Sequence, residues 1–270
     1  MKLKLYGSKG SIPLYSKRCI KTGGNTACLR VDINGETVLF DCGSGIMEYA
    51  AEIKDEQSAS FDICLSHLHV DHIIGLITFA PMFDPSSKIR LFTSSRGDTS
   101  LKNQVFGIFK PPYWPIDLEK IMNCECVEIE PSVPFEVRGG VKVTPMTGEH
   151  PDETLSFRVD HNGKRLVYLL DYEISYDNGS YENLVEYCRD ADCIVFDSCY
   201  LPDDYPPRVN WGHSTHLSGI KLAKDCGCKK LVLAHFYQAY TDEMLADLQI
   251  EVSAQPFECV VSYDGYEWEI

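Results

Sequence analysis

The stretch Ser66-His67-Leu68-His69-Val70-Asp71-His72 puts three imidazoles and a carboxylate within six residues, directly after residues 61–65, a largely apolar run that reads as a buried strand. Side chains of this kind cannot be crowded into a sheet edge without partners, because an unpaired buried polar group costs about 2–7 kcal/mol. A divalent cation supplies the partner, since imidazole nitrogens and carboxylate oxygens are among its ordinary ligands. On an extended segment side chains alternate, so His67, His69 and Asp71 are expected on one side. His72 then turns with the entry to a helix expected over 73–79.

Three later segments end on the same kind of residue. His150 follows a strand expected over 141–144 and its turn, Asp171 ends the apolar run 166–170, and His235 ends 231–234. Taken singly, each reads equally well as a cap or a core polar group. Taken with the first cluster they make seven potential ligands, enough for two cations that share one bridging group.

The surrounding pattern points to an α/β chain. Asn34-Gly35 and Asn162-Gly163 sit between alternating apolar runs and predict two tight hairpins. Strands are expected over 2–7, 27–33, 37–40, 61–65, 88–92, 124–129, 135–137, 141–144, 154–159, 165–170, 194–196 and 231–233. Helices are expected over 46–53, 73–79, 181–188, 217–224 and 243–248. No linker or repeat divides the sequence, which favours one domain over residues 1–270. The order, β-rich then βα, β-rich then βαβα, suits an αββα sandwich of two facing mixed sheets better than an alternating doubly wound sheet. The segment 107–115 (GIFKPPYWP), with three prolines and three aromatics, is expected to be irregular and to form a wall or lid.

Composition limits the partners. Lys and Arg number 25 against 40 Asp and Glu, a formal charge of −15, which speaks against a long nucleic acid because phosphate neutralisation needs a basic surplus. A small-molecule phosphodiester is the expected substrate class. The start MKLKLYGSKGSIP carries no apolar run of signal-peptide length, and no uncharged stretch of membrane-spanning length follows, so a cytoplasmic protein with no membrane partner is expected. The twelve cysteines are scattered, and neither Cys124/Cys126 nor Cys226/Cys228 has the spacing of a structural zinc site.

SHLHVDH resembles the H-x-H-x-D-H signature of the metallo-β-lactamase-fold hydrolases, and His150, Asp171 and His235 fall in the order of that family's remaining ligands. The resemblance implies one metal on His67, His69 and His150, a second on Asp71, His72 and His235, and Asp171 bridging both. LYGSKGSIP, GGNTACLRV and LFDCGSGI resemble the amino-terminal hairpins of the superfamily, with Asp41 in the layer behind the ligands. Gly212-His213-Ser214-Thr215 lies just before a helix and resembles the G-H-S-T motif of the ribonuclease Z-like phosphodiesterase branch. There the motif histidine reaches the metal site, which marks His213, Asp71 and Asp171 as the catalytic candidates. Dimers occur among such relatives, so a homodimer is expected as an option. Ser214 or Thr215 also suits a helix cap.

The resemblance implies a hydrolase with two divalent ions, zinc first and manganese or iron as alternatives, cleaving a small cyclic or nucleotide diester with a hydroxide bridging the metals. Hydrolysis of a thioester or lactone, or a non-catalytic metal-binding role, is the alternative. A di-iron oxidoreductase fits less well, because position 69 is His where that branch carries Glu.

Overall fold

Residues 2–40 show how the first sheet starts. Alternating apolar side chains over Lys2–Gly7 (β1), Cys28–Ile33 (β2) and Glu36–Phe40 (β3) turn one face inward and pair antiparallel. Asn34 and Gly35 both take positive φ, 54° and 80°, the conformation a two-residue hairpin with right-handed strand twist requires. The computed structural model describes residues 1–54, 60–176 and 179–270. Helix Ile46–Glu52 (α1) follows, then Ser60–Cys64 (β4), the short helix Val70–Ile73 (α2), Lys88–Thr93 (β5), helices Leu101–Phe106 (α3) and Leu118–Ile121 (α4), and Glu125–Glu128 (β6).

The second half repeats the plan. Phe135–Val137 (β7), Val141–Gly148 (β8), Thr154–His161 (β9) and Lys164–Leu169 (β10) form an antiparallel run. Ser180–Cys188 (α5), Cys193–Asp197 (β11), His216–Cys226 (α6), Lys230–Ala234 (β12), Asp242–Val252 (α7), Glu258–Val261 (β13) and Tyr266–Glu269 (β14) complete the chain. The sheets run β14-β1-β2-β3-β4-β5-β6 and β13-β12-β11-β10-β9-β8-β7. Each passes from an antiparallel half into a parallel half, at β3 and at β10.

Facing side chains of the two sheets make the central core. Phe40 of β3 sits 5.5 Å, centroid to centroid, from both Phe157 of β9 and Tyr168 of β10. Two further apolar layers lie outside it, one under α5, α6 and α7 and one under α1, α3 and α4. This is the expected αββα sandwich. The carboxyl ends of the parallel strands of both sheets meet at one edge, where open α/β sheets bind their ligands.

Several expectations shift in detail. The helix expected over 73–79 begins three residues earlier, at Val70, and continues as a 3-10 turn over Ile74–Ile77. Strands β13 and β14 and helices α3 and α4 are absent from the sequence expectation. Each is four to six residues long, too short for a periodic signal to rise above its neighbours. In the proline-rich segment Tyr113 is 83% exposed, while Trp114 packs against the layer that holds α3 and α4. Among the described residues no helix is long and apolar enough to cross a membrane.

Candidate metal centre

β4 ends at Cys64, and the chain leaves the sheet through Leu65 and Ser66, both buried, so His67 is delivered to the sheet edge with its ring enclosed. α2 then starts at Val70 and turns Asp71 and His72 round to the far side of His67. The period-two expectation for Asp71 is therefore corrected. His67, His69 and His150 stand together with Asp171, and Asp71 stands with His72 and His235. The helix breaks the alternation between His69 and Asp71.

Asp171 divides its carboxylate between the groups. Its Oδ1 lies 3.7 Å from Nε2 of both His67 and His150, and its Oδ2 lies 3.0 Å from His72 Nε2 and 3.2 Å from His235 Nε2. Asp71 Oδ2 is 3.4 Å from His72 Nε2 and 3.3 Å from His235 Nε2. Asp171 and His235 take φ of 50° and 62°, and Asp41, just behind them, 60°. Non-glycine residues enter that region at a cost, and three at one sheet edge mark backbone held for what it presents.

Around these side chains a second layer fixes each ring. Asp41 Oδ2 is 2.8 Å from His72 Nδ1 and accepts from Tyr168 Oη at 2.8 Å. Ser66 gives Asp41 Oδ1 its amide at 2.7 Å and its hydroxyl at 2.9 Å. Asp152 Oδ2 meets His69 Nε2 at 2.8 Å, and the Ser11 amide donates to Asp71 Oδ2 at 2.7 Å. Carboxylates behind imidazoles set which ring nitrogen faces the centre.

The inner atoms fit a cation and nothing else present. Buried His67 Nε2, His72 Nε2 and Asp171 Oδ2 have no hydrogen-bond partner among the described residues, and these atoms face one another. Burial, followed by repulsion from His72, pushes His67 well below the ordinary imidazole range, and burial brings His150 down to about 4. Both are neutral rings with a free lone pair. His72 and His235 behave oppositely: burial disfavours their charge, yet Asp171 and its neighbouring carboxylates hold both well above the ordinary range. Positive charge is what those carboxylates demand, and a divalent ion provides it in place of protons. The all-nitrogen-and-oxygen set suits Zn2+, Mn2+ or Fe.

His213 arrives from the other side of the edge. Its Nδ1 lies 2.9 Å from Asp197 Oδ2 and 3.9 Å from Asp171 Oδ1. Burial works against its charged form, but the Asp197 carboxylate prevails and raises its pKa. The loop that carries it is clamped by the segment after Asp171. Glu173 Oε1 accepts from Tyr205 Oη at 2.6 Å and from the Asn210 amide at 2.8 Å, and Glu173 Oε2 accepts from the Gly212 amide at 2.8 Å. On the other flank, Ser214 Oγ donates to the Tyr172 carbonyl at 2.7 Å. Gly212, at φ 86°, rests on His150 so closely that a Cβ there would stand 2.1 Å from the ring. Thr215, not Ser214, caps α6, accepting from the Ser218 amide. His216 is buried elsewhere, 3.1 Å from Glu251 on α7, and ties two helices together.

Asp197, Asp152 and Glu173 were not foreseen. For Asp197 the signal existed, since it ends an apolar strand just as Asp171 does. Asp152 sits in a turn and Glu173 in irregular backbone, neither with a pattern of its own. Beside His150 and Gly212 opens a cavity of about 600 Å³, walled by Tyr176, Tyr205 and Val209.

Two seven-stranded sheets with a His/Asp cluster at their shared edge define a metallo-β-lactamase-fold, metal-dependent hydrolase. Residues 36–236 match the family described as Beta-lactamase superfamily domain, and the chain belongs to it. Ribonuclease Z of Methanosarcina acetivorans is 25% identical over 317 aligned residues, covering 100% of this chain and 98% of the relative. Among solved structures, a diphosphatase from the PhnP family shares the fold with a TM-score of 0.74 at 20% identity, covering 100% of this chain and 97% of that one. Zn2+-bound PqqB from Methylobacterium extorquens does so with a TM-score of 0.74 at 17% identity, covering 100% of both.

These relatives correct one expectation. The charge of −15 speaks against a long nucleic acid, yet a protein matched over the whole chain bears the name of a ribonuclease. Net charge sums over the entire surface, whereas a substrate responds to the field where it docks.

Proposed function

We propose that this chain is a two-metal phosphodiesterase whose substrate is an RNA phosphodiester. The observation that carries the reading is His213, an imidazole of raised pKa, backed by Asp197, at the rim of a double His/Asp cluster. The name of the full-length relatives supplies the kind of diester.

His67, His69 and His150 would hold one ion, Asp71, His72 and His235 the other, with Asp171 giving one oxygen to each. Zinc is the first choice for both. When bound, such a pair supplies a water of lowered pKa and a Lewis acid for a phosphoryl oxygen. The chain's own groups do the rest. The His213 Nδ1–H donates to Asp197, which leaves Nε2 to carry the proton that a leaving alkoxide needs. Asp197 fixes that tautomer, and the Glu173 and Ser214 ties keep the ring aimed from both flanks.

The test compares leaving groups in the metal-loaded chain. His213→Ala should lower kcat on an RNA diester about 10²- to 10⁴-fold, the range of a lost general acid. On bis(p-nitrophenyl) phosphate, whose leaving group needs no proton, the loss should be several-fold at most. A metal-loaded chain that leaves both diesters intact but opens a thioester or lactone overturns the proposal.

A further inference from the structure

The acidic balance has a local exception beside the centre. Lys17, Arg18 and Lys21 fall within five residues and all three are exposed. Among the described residues none of them forms an ion pair. Some basic side chains elsewhere are matched, as Lys164 and Lys229 are by Asp192 and Arg165 is by Asp160. The unmatched Lys88, Lys110, Lys142 and Lys224 lie far apart in the sequence, whereas these three stand together with no acidic residue between them. In the same segment Tyr15 is 100% exposed and Ile20 76%.

The segment is built, not loose. The Leu14 amide donates to the Gly24 carbonyl at 2.8 Å and closes it as a loop. Asp242, the first residue of α7, accepts from the Lys21 amide at 2.9 Å and from the Thr22 amide at 2.8 Å. Asp264 accepts from the Gly24 and Asn25 amides at 2.9 and 2.8 Å. Asp242 and Asp264 are thus occupied by the loop's backbone, while Cys19 turns inward and is buried. Anchored so, the loop can only present Tyr15, Lys17, Arg18 and Lys21 outward.

Its base is part of the centre. Ser11 gives its amide to Asp71, and Gly10 lies against His235, where a Cβ would stand 2.5 Å from the ring. Tyr15 comes four residues after Ser11, a span of at most about 14 Å.

We propose that residues 15–21 are the docking surface for the RNA strand entering the centre, with Lys17, Arg18 and Lys21 on successive phosphates and an unstacked base on Tyr15. The inference rests on the RNA reading above. Cations tracking a backbone beside an exposed aromatic ring are the ordinary means of holding single-stranded nucleic acid. They also give a chain of charge −15 a local positive field where a polyanion arrives.

The test uses the full metal-loaded chain and the variant with Lys17→Ala, Arg18→Ala and Lys21→Ala together. Binding of a fluorescein-labelled single-stranded RNA is followed by anisotropy over a salt series, in a His213→Ala background that holds the strand uncut. Each lost phosphate contact removes about 0.7 from the slope of log Kd against log salt. The triple variant should lose about 2 from the slope and raise KM for RNA at least tenfold, with cleavage of bis(p-nitrophenyl) phosphate unchanged. Tyr15→Ala should weaken binding several-fold without altering the slope. If RNA is bound and cut by both chains with the same slope, the docking surface is wrong and the RNA reading stands. If bis(p-nitrophenyl) phosphate is cut while RNA is neither bound nor cut, both fall.

Discussion

His67, His69 and His150 face one oxygen of Asp171 with no second carboxylate among them, whereas Asp71, His72 and His235 face the other with Asp41 and Asp197 behind them. The first half is also the wetter one: the His69 side chain is 42% exposed and its partner Asp152 71%. In the second half Asp71, His72 and His235 are all buried. Attraction between charges strengthens as water is excluded, so the same divalent ion would be held more firmly in the second half than in the first. Two ions in one centre need not be equivalent. An ion in the buried half would be the slower to leave, and one in the wetter half would exchange water more readily.

The heaviest blow to that arrangement is to the group both halves share. Asp171→Ala should cost both ions and lower diester cleavage by about a thousandfold or more, because residues acting as a unit fail together. Metal analysis after gel filtration, with circular dichroism to confirm folding, reads the result. A variant that kept two ions per chain would show that the halves are independent and that Asp171 joins nothing.

That shared role was partly legible beforehand. Three imidazoles and Asp71 in six residues announced a cation, and Asp171 stood out as a carboxylate after five largely apolar residues. Asp197 carries the same signature at the end of Cys193–Asp197, but no ligand motif accompanies it in the sequence. Strand alternation puts Asp71 on the side of His67 and His69, whereas the resemblance groups it with His72 and His235, as the geometry does, and the alternation fails for a physical reason. Alternation holds only while the backbone stays extended, and α2 starts between His69 and Asp71. Partners such as Asp152 and Glu173 act through side-chain hydrogen bonds from irregular backbone, which has no period to betray them. The docking loop was hidden by its own chain's charge, since three cations vanish in a sum of −15.

The next test sets the outer layers against each other. Asp41→Asn keeps the volume but removes the charge behind His72, while Asp152→Asn does the same behind His69. Outer partners of metal ligands typically contribute 10- to 100-fold in affinity, that is, about 1.4–2.7 kcal/mol. Asp41, fully buried and shared by His72, Ser66 and Tyr168, should reach the upper end, and exposed Asp152 should cost a few-fold. A chelator competition resolving two release steps decides it: Asp41→Asn should accelerate the slow step and Asp152→Asn the fast one. The reverse assignment would break the claim that burial grades the two halves.

Finest of all is the link beneath the buried half. Tyr168 lies on β10 and Asp41 follows β3, so their 2.8 Å hydrogen bond joins the two sheets directly under His72. Tyr168→Phe deletes one hydroxyl and keeps the ring against Phe40. Asp41 still accepts from the Ser66 amide and hydroxyl and meets His72, so no buried charge is left unpaired. The cost should therefore be that of one hydrogen bond to a charged acceptor, about 1.5–3 kcal/mol of folding stability, with a change of only a few-fold in the slow metal-release step. Urea denaturation of the metal-free and metal-loaded chains separates the two effects. If the metal-free chain loses nothing while the slow release accelerates tenfold or more, Tyr168 supports the cation and not the sheets, and the buried half owes its grip to that hydroxyl as well as to its carboxylates.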